Sequence, residues 1–322
     1  MFQSANLQTT NGFNGSHLTF HFSPFRSHTI KSIYKLSLRM TIDEARVEIV
    51  RAIRHIYEQS EPSNIAELLM ENITKLSGTE RITMRNEELS TSQTELLHSS
   101  IFRLKKNEPI QYVINEAWFA GMKFYVDRNV LIPRPETEEL VEWIAQEVKS
   151  QKSKVKILDV GTGSGCIAVA LKNKLPNIET WACDVSDEAL TIARLNADSL
   201  HATVDFVAID FLDAGQRMQL PAVDIIISNP PYILRNERGS MKNNVVDHEP
   251  SKALFVPDDD PLIFYKAITE FARGKLNKGG AIYVEIHENL GQQVRNLFLS
   301  NGYAVQLKED LQRKQRMIKA TS

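Results

Sequence analysis

The stretch Val155-Lys156-Ile157-Leu158-Asp159-Val160-Gly161-Thr162-Gly163-Ser164-Gly165 decides the fold. Val155 to Val160 is a short, β-branched apolar run of the kind that forms a buried strand. The glycines that close it let the chain turn sharply and let its backbone approach a ligand. Cys166 to Leu175 then reads as a helix. From here strand and helix patterns alternate. Ile178 to Cys183, Val204 to Ile209, Asp224 to Ser228 and Ala281 to Ile286 are expected strands, the last preceded by a turn at Gly279-Gly280. Asp187 to Leu200 and Pro261 to Leu276 are expected helices. Such alternation predicts an α/β fold with a mostly parallel, doubly wound sheet, which binds ligands at the carboxyl ends of its strands. A helix over Leu290 to Leu299, the turn Asn301-Gly302, a strand from Tyr303 and a last strand near Arg316 to Ala320 complete the chain.

Asp184 ends the second of these strands, in the position where a carboxylate accepts hydrogen bonds from the ribose hydroxyls of an adenosine cofactor. The loop residues Gly161, Thr162, Gly163, Ser164 and Gly165, with Asp184, are therefore the candidate cofactor site. A dinucleotide loop wants Gly-x-Gly-x-x-Gly, and here the third glycine comes one residue early. Asp210-Phe211, after the third strand, would flank the adenine; core packing is the alternative for Phe211.

Ile225-Ile226-Ile227-Ser228-Asn229-Pro230-Pro231-Tyr232 delivers a second functional loop. Two prolines lack N–H donors, so sheet pairing stops there, and residues before proline are held extended. The stiff loop carries the Asn229 amide, the Pro230 carbonyl and the Tyr232 ring. A planar NH2 group can donate to both acceptors while Tyr232 covers its π face. Asn229, Pro230 and Tyr232 are the candidate catalytic residues, with Pro231 as part of the substrate grip. No general base is expected. His248, Glu285 and His287 read as surface or structural residues.

The rest of the chain sets bounds. Its 322 residues suggest about two domains. A net charge of −2 offers no electrostatic footprint for nucleic acid, and no apolar run is long enough to span a membrane. The two cysteines, Cys166 and Cys183, argue against a disulfide framework and for a reducing compartment. No metal-ligand pattern is present. Residues 1–39 hold no acidic residue and several basic ones, a composition expected to be disordered. It suits either a mitochondrial transit peptide or an upstream stretch before a start at Met40. The expected location is the cytoplasm, or the mitochondrial matrix on the transit reading. Thr41 to Tyr57, a segment from Asn64 and a segment from Ser92 read as amphipathic helices of a small domain, 40–108. Asn64 with Glu67, and Ser92 with Glu95, have capping-box spacing. Residues 109–133 have β composition and are expected to form one or two hairpins linking this domain to a second, 134–322, that opens with a helix at Pro135.

Asp-x-Gly-x-Gly-x-Gly followed by Asn-Pro-Pro-Tyr resembles S-adenosylmethionine methyltransferases. With Ile132-Pro133-Arg134-Pro135-Glu136-Thr137-Glu138 and Glu249-Pro250 to Leu254, the chain from Met40 to Ala320 resembles the PrmC/HemK family, glutamine N5-methyltransferases of peptide chain release factors. The resemblance implies a Rossmann-like sheet, S-adenosyl-L-methionine as cofactor, and release factors as protein substrates, modified on the glutamine of a Gly-Gly-Gln motif. It also implies that Asn229 touches both cofactor and substrate, and that the helical domain docks the substrate. Three other readings compete. An adenine-N6 nucleic-acid methyltransferase shares Asn-Pro-Pro-Tyr but wants a basic surface. A non-catalytic S-adenosylmethionine-binding module has no use for an amide-gripping loop. An NAD dehydrogenase needs the other glycine spacing.

Overall fold

The computed structural model describes residues 40–58, 60–149, 155–241 and 243–322, so the expectations for residues 1–39 lie outside the described residues. Among the described residues, no helix is long and apolar enough to cross a membrane.

The first helices are α1 (Ile42–Ile53), α2 (Glu61–Thr74), the short α3 (Gly78–Thr83) and α4 (Thr91–Leu104), and α1, α2 and α4 share a core. Ile49, Ile53, Leu69, Met70, Leu97 and Leu104 meet in it. Thr41 caps α1 in a reciprocal box with Glu44, satisfying two backbone donors that the first turn leaves open. The other expected caps are displaced. Pro62, which suits a first turn, lets α2 start at Glu61 rather than at Asn64. The box on α4 is Ser90 with Gln93, not Ser92 with Glu95.

The linker differs from expectation at its start. Ile110–Ile114 is a helical turn, α5, not a strand. Ile110 and Val113 pack into the helical core, and this burial overrides their β-branched preference. One hairpin follows, β1 (Ala117–Phe119) against β2 (Met122–Phe124).

Next come α6 (Pro135–Lys149), β3 (Lys156–Val160), α7 (Cys166–Lys174), β4 (Glu179–Asp184), α8 (Asp187–Ser199), β5 (Asp205–Ala208), α9 (Ala214–Arg217) and β6 (Val223–Ser228). After β6, β7 (Ile233–Leu234) pairs with β8 (Phe255–Val256) around the short helices α10 (Asn243–Val246) and α11 (Ser251–Leu254). The chain closes with α12 (Ile263–Lys275), β9 (Leu276–Glu285), α13 (Gly291–Ser300), β10 (Ala304–Glu309) and β11 (Gln315–Thr321). The seven-stranded sheet runs β10-β11-β9-β6-β3-β4-β5. β5, β4, β3, β6 and β9 are parallel, and β11 and β10 are antiparallel. The last strand lies inside the sheet because Met317, Ile318 and Ala320 are fully buried.

Helices cover both faces, so the central strands carry buried apolar runs such as Ile225 to Ile227. Ile225 and Ile227 face α6 and α7, while Ile226 faces α12. Full burial of each such isoleucine stabilises the sheet by about 1.5–3 kcal/mol. Gly279-Gly280, expected as a turn, lies within β9 at a register shift. Val223 is opposite Leu276, and Ile225 is opposite Ala281. A Cβ on Gly280 would fall 2.7 Å from the Asp224 carbonyl, so only glycine fits there.

Candidate active site

The sheet topology brings both loops to one end of adjacent strands. β3 and β6 are neighbours, and Val160 is in register with Ser228, the last paired residue before Asn229. The Ser228 hydroxyl donates to the Val160 carbonyl at 2.7 Å, tying the two strand ends together.

In the glycine loop, Gly161, Gly163 and Gly165 take φ of 72°, 54° and 79°, the left-handed region that other residues avoid. The Gly161 and Thr162 amides donate to the Cys183 carbonyl, and the Gly163 amide donates to Asp184 Oδ2 at 2.9 Å. Asp184 Oδ1 accepts from the Ser186 amide. The β4 carboxylate thus braces the loop. Cβ atoms on Gly161 or Gly163 would meet nothing within 4 Å, which leaves room beside the backbone for a ligand. Asp159 Oδ1 and Ser164 Oγ are buried without a hydrogen-bond partner among the described residues. Burial pushes the Asp159 carboxyl up to about 7, although Thr162 Oγ donates to its other oxygen at 2.6 Å. Open backbone space, orphaned polar groups and an acidic residue at the end of β4 together fit a nucleoside-bearing, positively charged cofactor. Phe211 is seated in the core, 5% exposed and edge-on to Phe271 at 5.4 Å, which accounts for its apolar character without a ligand.

Asn196 on α8 is a site residue that the sequence reading missed. Its Oδ1 accepts from the Tyr125 amide at 2.7 Å, and its Nδ2 donates to the carbonyls of Tyr125 at 3.0 Å and Ser164 at 2.9 Å. One buried amide therefore ties the hairpin linker to the glycine loop. Replacing Asn196 with Ala is expected to destabilise the protein by about 2–3 kcal/mol, since buried backbone groups lose partners. Cofactor affinity should fall about tenfold as the loop loosens, the equivalent of about 1.4 kcal/mol. Thermal unfolding and a cofactor titration check this; wild-type values for both would show that the tie is dispensable.

At the other loop, Asn229 Nδ2 donates to Thr137 Oγ at 3.0 Å, and Thr137 Oγ donates to Glu285 Oε2 at 2.6 Å. The Tyr232 hydroxyl donates to Glu285 Oε1 at 3.2 Å, and the Tyr265 hydroxyl donates to the Glu285 carbonyl. Tyr232 is half-buried, its ring tilted against His287 at 5.8 Å, and burial raises its hydroxyl pKa. Of the two readings expected for Glu285, surface or structural, burial leaves the second: it lies at the centre of this network, and burial pushes its carboxyl up to about 7. The available signal was a carboxylate ending the apolar run Ala281 to Ile286, at the end of the sheet where ligands bind.

The linker and helical domain are wired to this end as well. Arg134 Nη2 bridges both oxygens of the buried Glu249 at 2.6 and 2.7 Å. The half-buried His248, expected to be solvated, has Nε2 2.9 Å from the Lys106 carbonyl after α4. Tyr112 of α5 donates to the Val130 carbonyl at 2.6 Å and packs with Ile132, Ala189 and Ile192. The structure therefore brings Asn229, Pro230, Pro231 and Tyr232 together with the α6 start, and Gly161 to Gly165 together with Asp184.

The chain matches two protein families, the methyltransferase small domain over residues 137–249 and the PrmC N-terminal domain over residues 44–114. A release factor glutamine methyltransferase of Flavobacterium psychrophilum is 39% identical over 87% of this chain and 99% of its own length. One from Bacteroides thetaiotaomicron is 41% identical over 84% of this chain and 97% of its own. Among solved structures, the hMettl16 catalytic domain in complex with the MAT2A 3′UTR hairpin 6 superposes with a TM-score of 0.51 at 16% identity, covering 71% of this chain and 81% of that one. That likeness concerns the fold.

Proposed function

The chain belongs to the release factor glutamine methyltransferase family, and from that membership we propose how its residues perform the transfer. The enzyme moves a methyl group from S-adenosylmethionine to the side-chain amide nitrogen of a glutamine in a peptide chain release factor, the glutamine of a Gly-Gly-Gln motif on our reading. Gly161 to Gly165 and Asp184 hold the cofactor, with Asp210 on the adenine side and Phe211 packed in the core beneath it. Bound S-adenosylmethionine supplies an electrophilic sulfonium methyl.

The chemical difficulty lies in the acceptor, because an amide nitrogen delocalises its lone pair into its carbonyl. Asn229 Oδ1 and the Pro230 carbonyl accept the two amide hydrogens. That fixes the nitrogen's orientation and stabilises the positive charge that grows on it. Orientation of this kind contributes on the order of 7–11 kcal/mol in favourable cases. Tyr232 and Pro231 cover the flat amide. The observation that carries the reading is the polarity of the Asn229 amide. Its Nδ2 is committed to Thr137, and its Oδ1 makes no hydrogen bond among the described residues. An acceptor is therefore left for a substrate NH2.

Residues 40–108 form the surface that docks the release factor, and the contacts of Lys106 and Tyr112 transmit its position to the catalytic end. We expect no stable nucleic-acid complex, in keeping with the net charge of −2, and we place the reaction in the cytoplasm. Incubation with methyl-labelled S-adenosylmethionine and, in separate reactions, release factor, duplex DNA and RNA tests the assignment. Label in the release factor alone is expected. Label in nucleic acid with none in the protein would overturn it.

A further inference from the structure

We propose that Glu285 is a positioning residue whose charge state sets, through Thr137, which end of the Asn229 amide meets the substrate. This rests on the amide-transfer chemistry above and deepens it. The network carries the argument. Asn229 stands after β6, Thr137 on α6 and Glu285 at the end of β9, so three separate elements converge on one chain of hydrogen bonds. An ionised Glu285 only accepts. It takes the Thr137 hydroxyl hydrogen at 2.6 Å, so Thr137 Oγ has only its lone pairs for Asn229. Asn229 must then turn its NH2 toward Thr137 and its Oδ1 away, ready for a donor nitrogen.

A protonated Glu285 reverses the direction. Its own O–H donates to Thr137 Oγ, the Thr137 hydrogen is released toward Asn229, and the amide is satisfied in the flipped orientation. Asn229 then presents NH2 to a substrate NH2, two donors facing each other. The link thus selects for an acceptor that carries hydrogens, and it fails when the carboxylate is neutral.

Every charged or titratable group packed around Glu285 bears on this switch. Thr137 and Glu136 come from α6, Tyr232 from the loop after β6, Tyr265 from α12 and Arg316 from β11. Burial favours the neutral carboxyl; Thr137, Arg316 and Tyr232 favour the charged one, and Glu136 opposes it. Arg316 is itself shared with Asp310 and Glu288, and His287 lies against Tyr232. The balance puts the Glu285 carboxyl at about 7. Transfer should therefore be present above that value and be lost as pH falls through it. Neutralising a buried carboxylate does not cost stability, so the loss is not unfolding. Asp159 also titrates near 7 but touches the cofactor loop, so it acts on cofactor affinity.

The test is a pH profile of kcat at saturating S-adenosylmethionine and release factor for wild type, Glu285→Gln, Thr137→Val and the double variant, with Thr137→Ser as the conservative control. For Glu285→Gln, kcat should drop at least tenfold, with cofactor Kd and substrate KM within twofold of wild type, and the acidic limb near pH 7 should vanish. Thr137→Val should reproduce that drop, the double variant should be no worse than either, and Thr137→Ser should keep at least half the wild-type kcat. A Glu285→Gln enzyme with wild-type kcat and an unchanged acidic limb would overturn the proposal. So would independent, multiplicative losses in the double variant. If Glu285→Gln does not fold, the Thr137 pair decides, since equal activity of the Ser and Val variants excludes the link. Absence of transfer by the wild-type enzyme would instead defeat the functional reading itself.

Discussion

Replacing Asn229 with Ala is expected to lower kcat for methyl transfer by about 10²–10³-fold while leaving cofactor binding within a few-fold of wild type. The magnitude is that of deleting one preorganised polar group aimed at developing charge, here an acceptor rather than an oxyanion donor. Asn229 lies outside the glycine loop, and its one side-chain hydrogen bond among the described residues goes to Thr137. Its loss removes little stability, because Thr137 keeps its 2.6 Å bond to Glu285. Single-turnover transfer and a cofactor titration on the same preparation separate the two effects. Turnover at the wild-type rate would show that Asn229 does not hold the acceptor nitrogen. A large loss of cofactor affinity would move its role to the cofactor.

The second large effect concerns stability. Arg134→Met should destabilise the fold by about 3 kcal/mol, because it leaves Glu249 buried and uncompensated. Breaking a buried pair by removing one partner costs about 3–5 kcal/mol, and the lower end applies because the Arg134 side chain is 33% exposed while that of Glu249 is 1% exposed. In a chain of this size, a loss of this order lowers the midpoint of thermal unfolding by roughly 6–10 °C. The pH dependence has a definite sign. Burial already raises the Glu249 pKa against the pull of Arg134, and without the arginine it rises further. A carboxyl with a raised folded-state pKa stabilises below that pKa and loses the contribution as pH rises through it. The variant should therefore regain stability on acidification, and Glu249→Gln in the same background should restore most of the loss at neutral pH. A variant whose unfolding midpoint matched wild type would show that the pair contributes nothing.

What could be read from the sequence was what is local. The glycine loop, the run Ile225 to Ile227 and the Asn-Pro-Pro-Tyr turn each declare themselves within a dozen residues, because turn chemistry and strand burial are short-range constraints. Their meeting followed from the alternation of strands and helices, which leaves few topologies open. Residues whose role depends on partners far along the chain were not legible. Glu285 acts with Thr137, 148 positions away, and Asn196 with Tyr125, 71 positions away, and neither spacing leaves a pattern. Ile110–Ile114 was misread for the opposite reason. Its composition favours a strand, but packing against the helical core decided otherwise. The caps of α2 and α4 slipped because several Ser, Asn and Glu residues offer the same spacing within one turn, and only the backbone chooses among them.

The central claim is that this site grips a primary amide nitrogen and methylates it. The most direct test is the intact mass and fragmentation of a release factor after incubation with the enzyme and S-adenosylmethionine, beside a release factor whose Gly-Gly-Gln glutamine is replaced. The account predicts the gain of a single methyl group on the side-chain amide of that glutamine, and no gain in the control. A methyl group on any other residue, or an equal gain in the control, would contradict it.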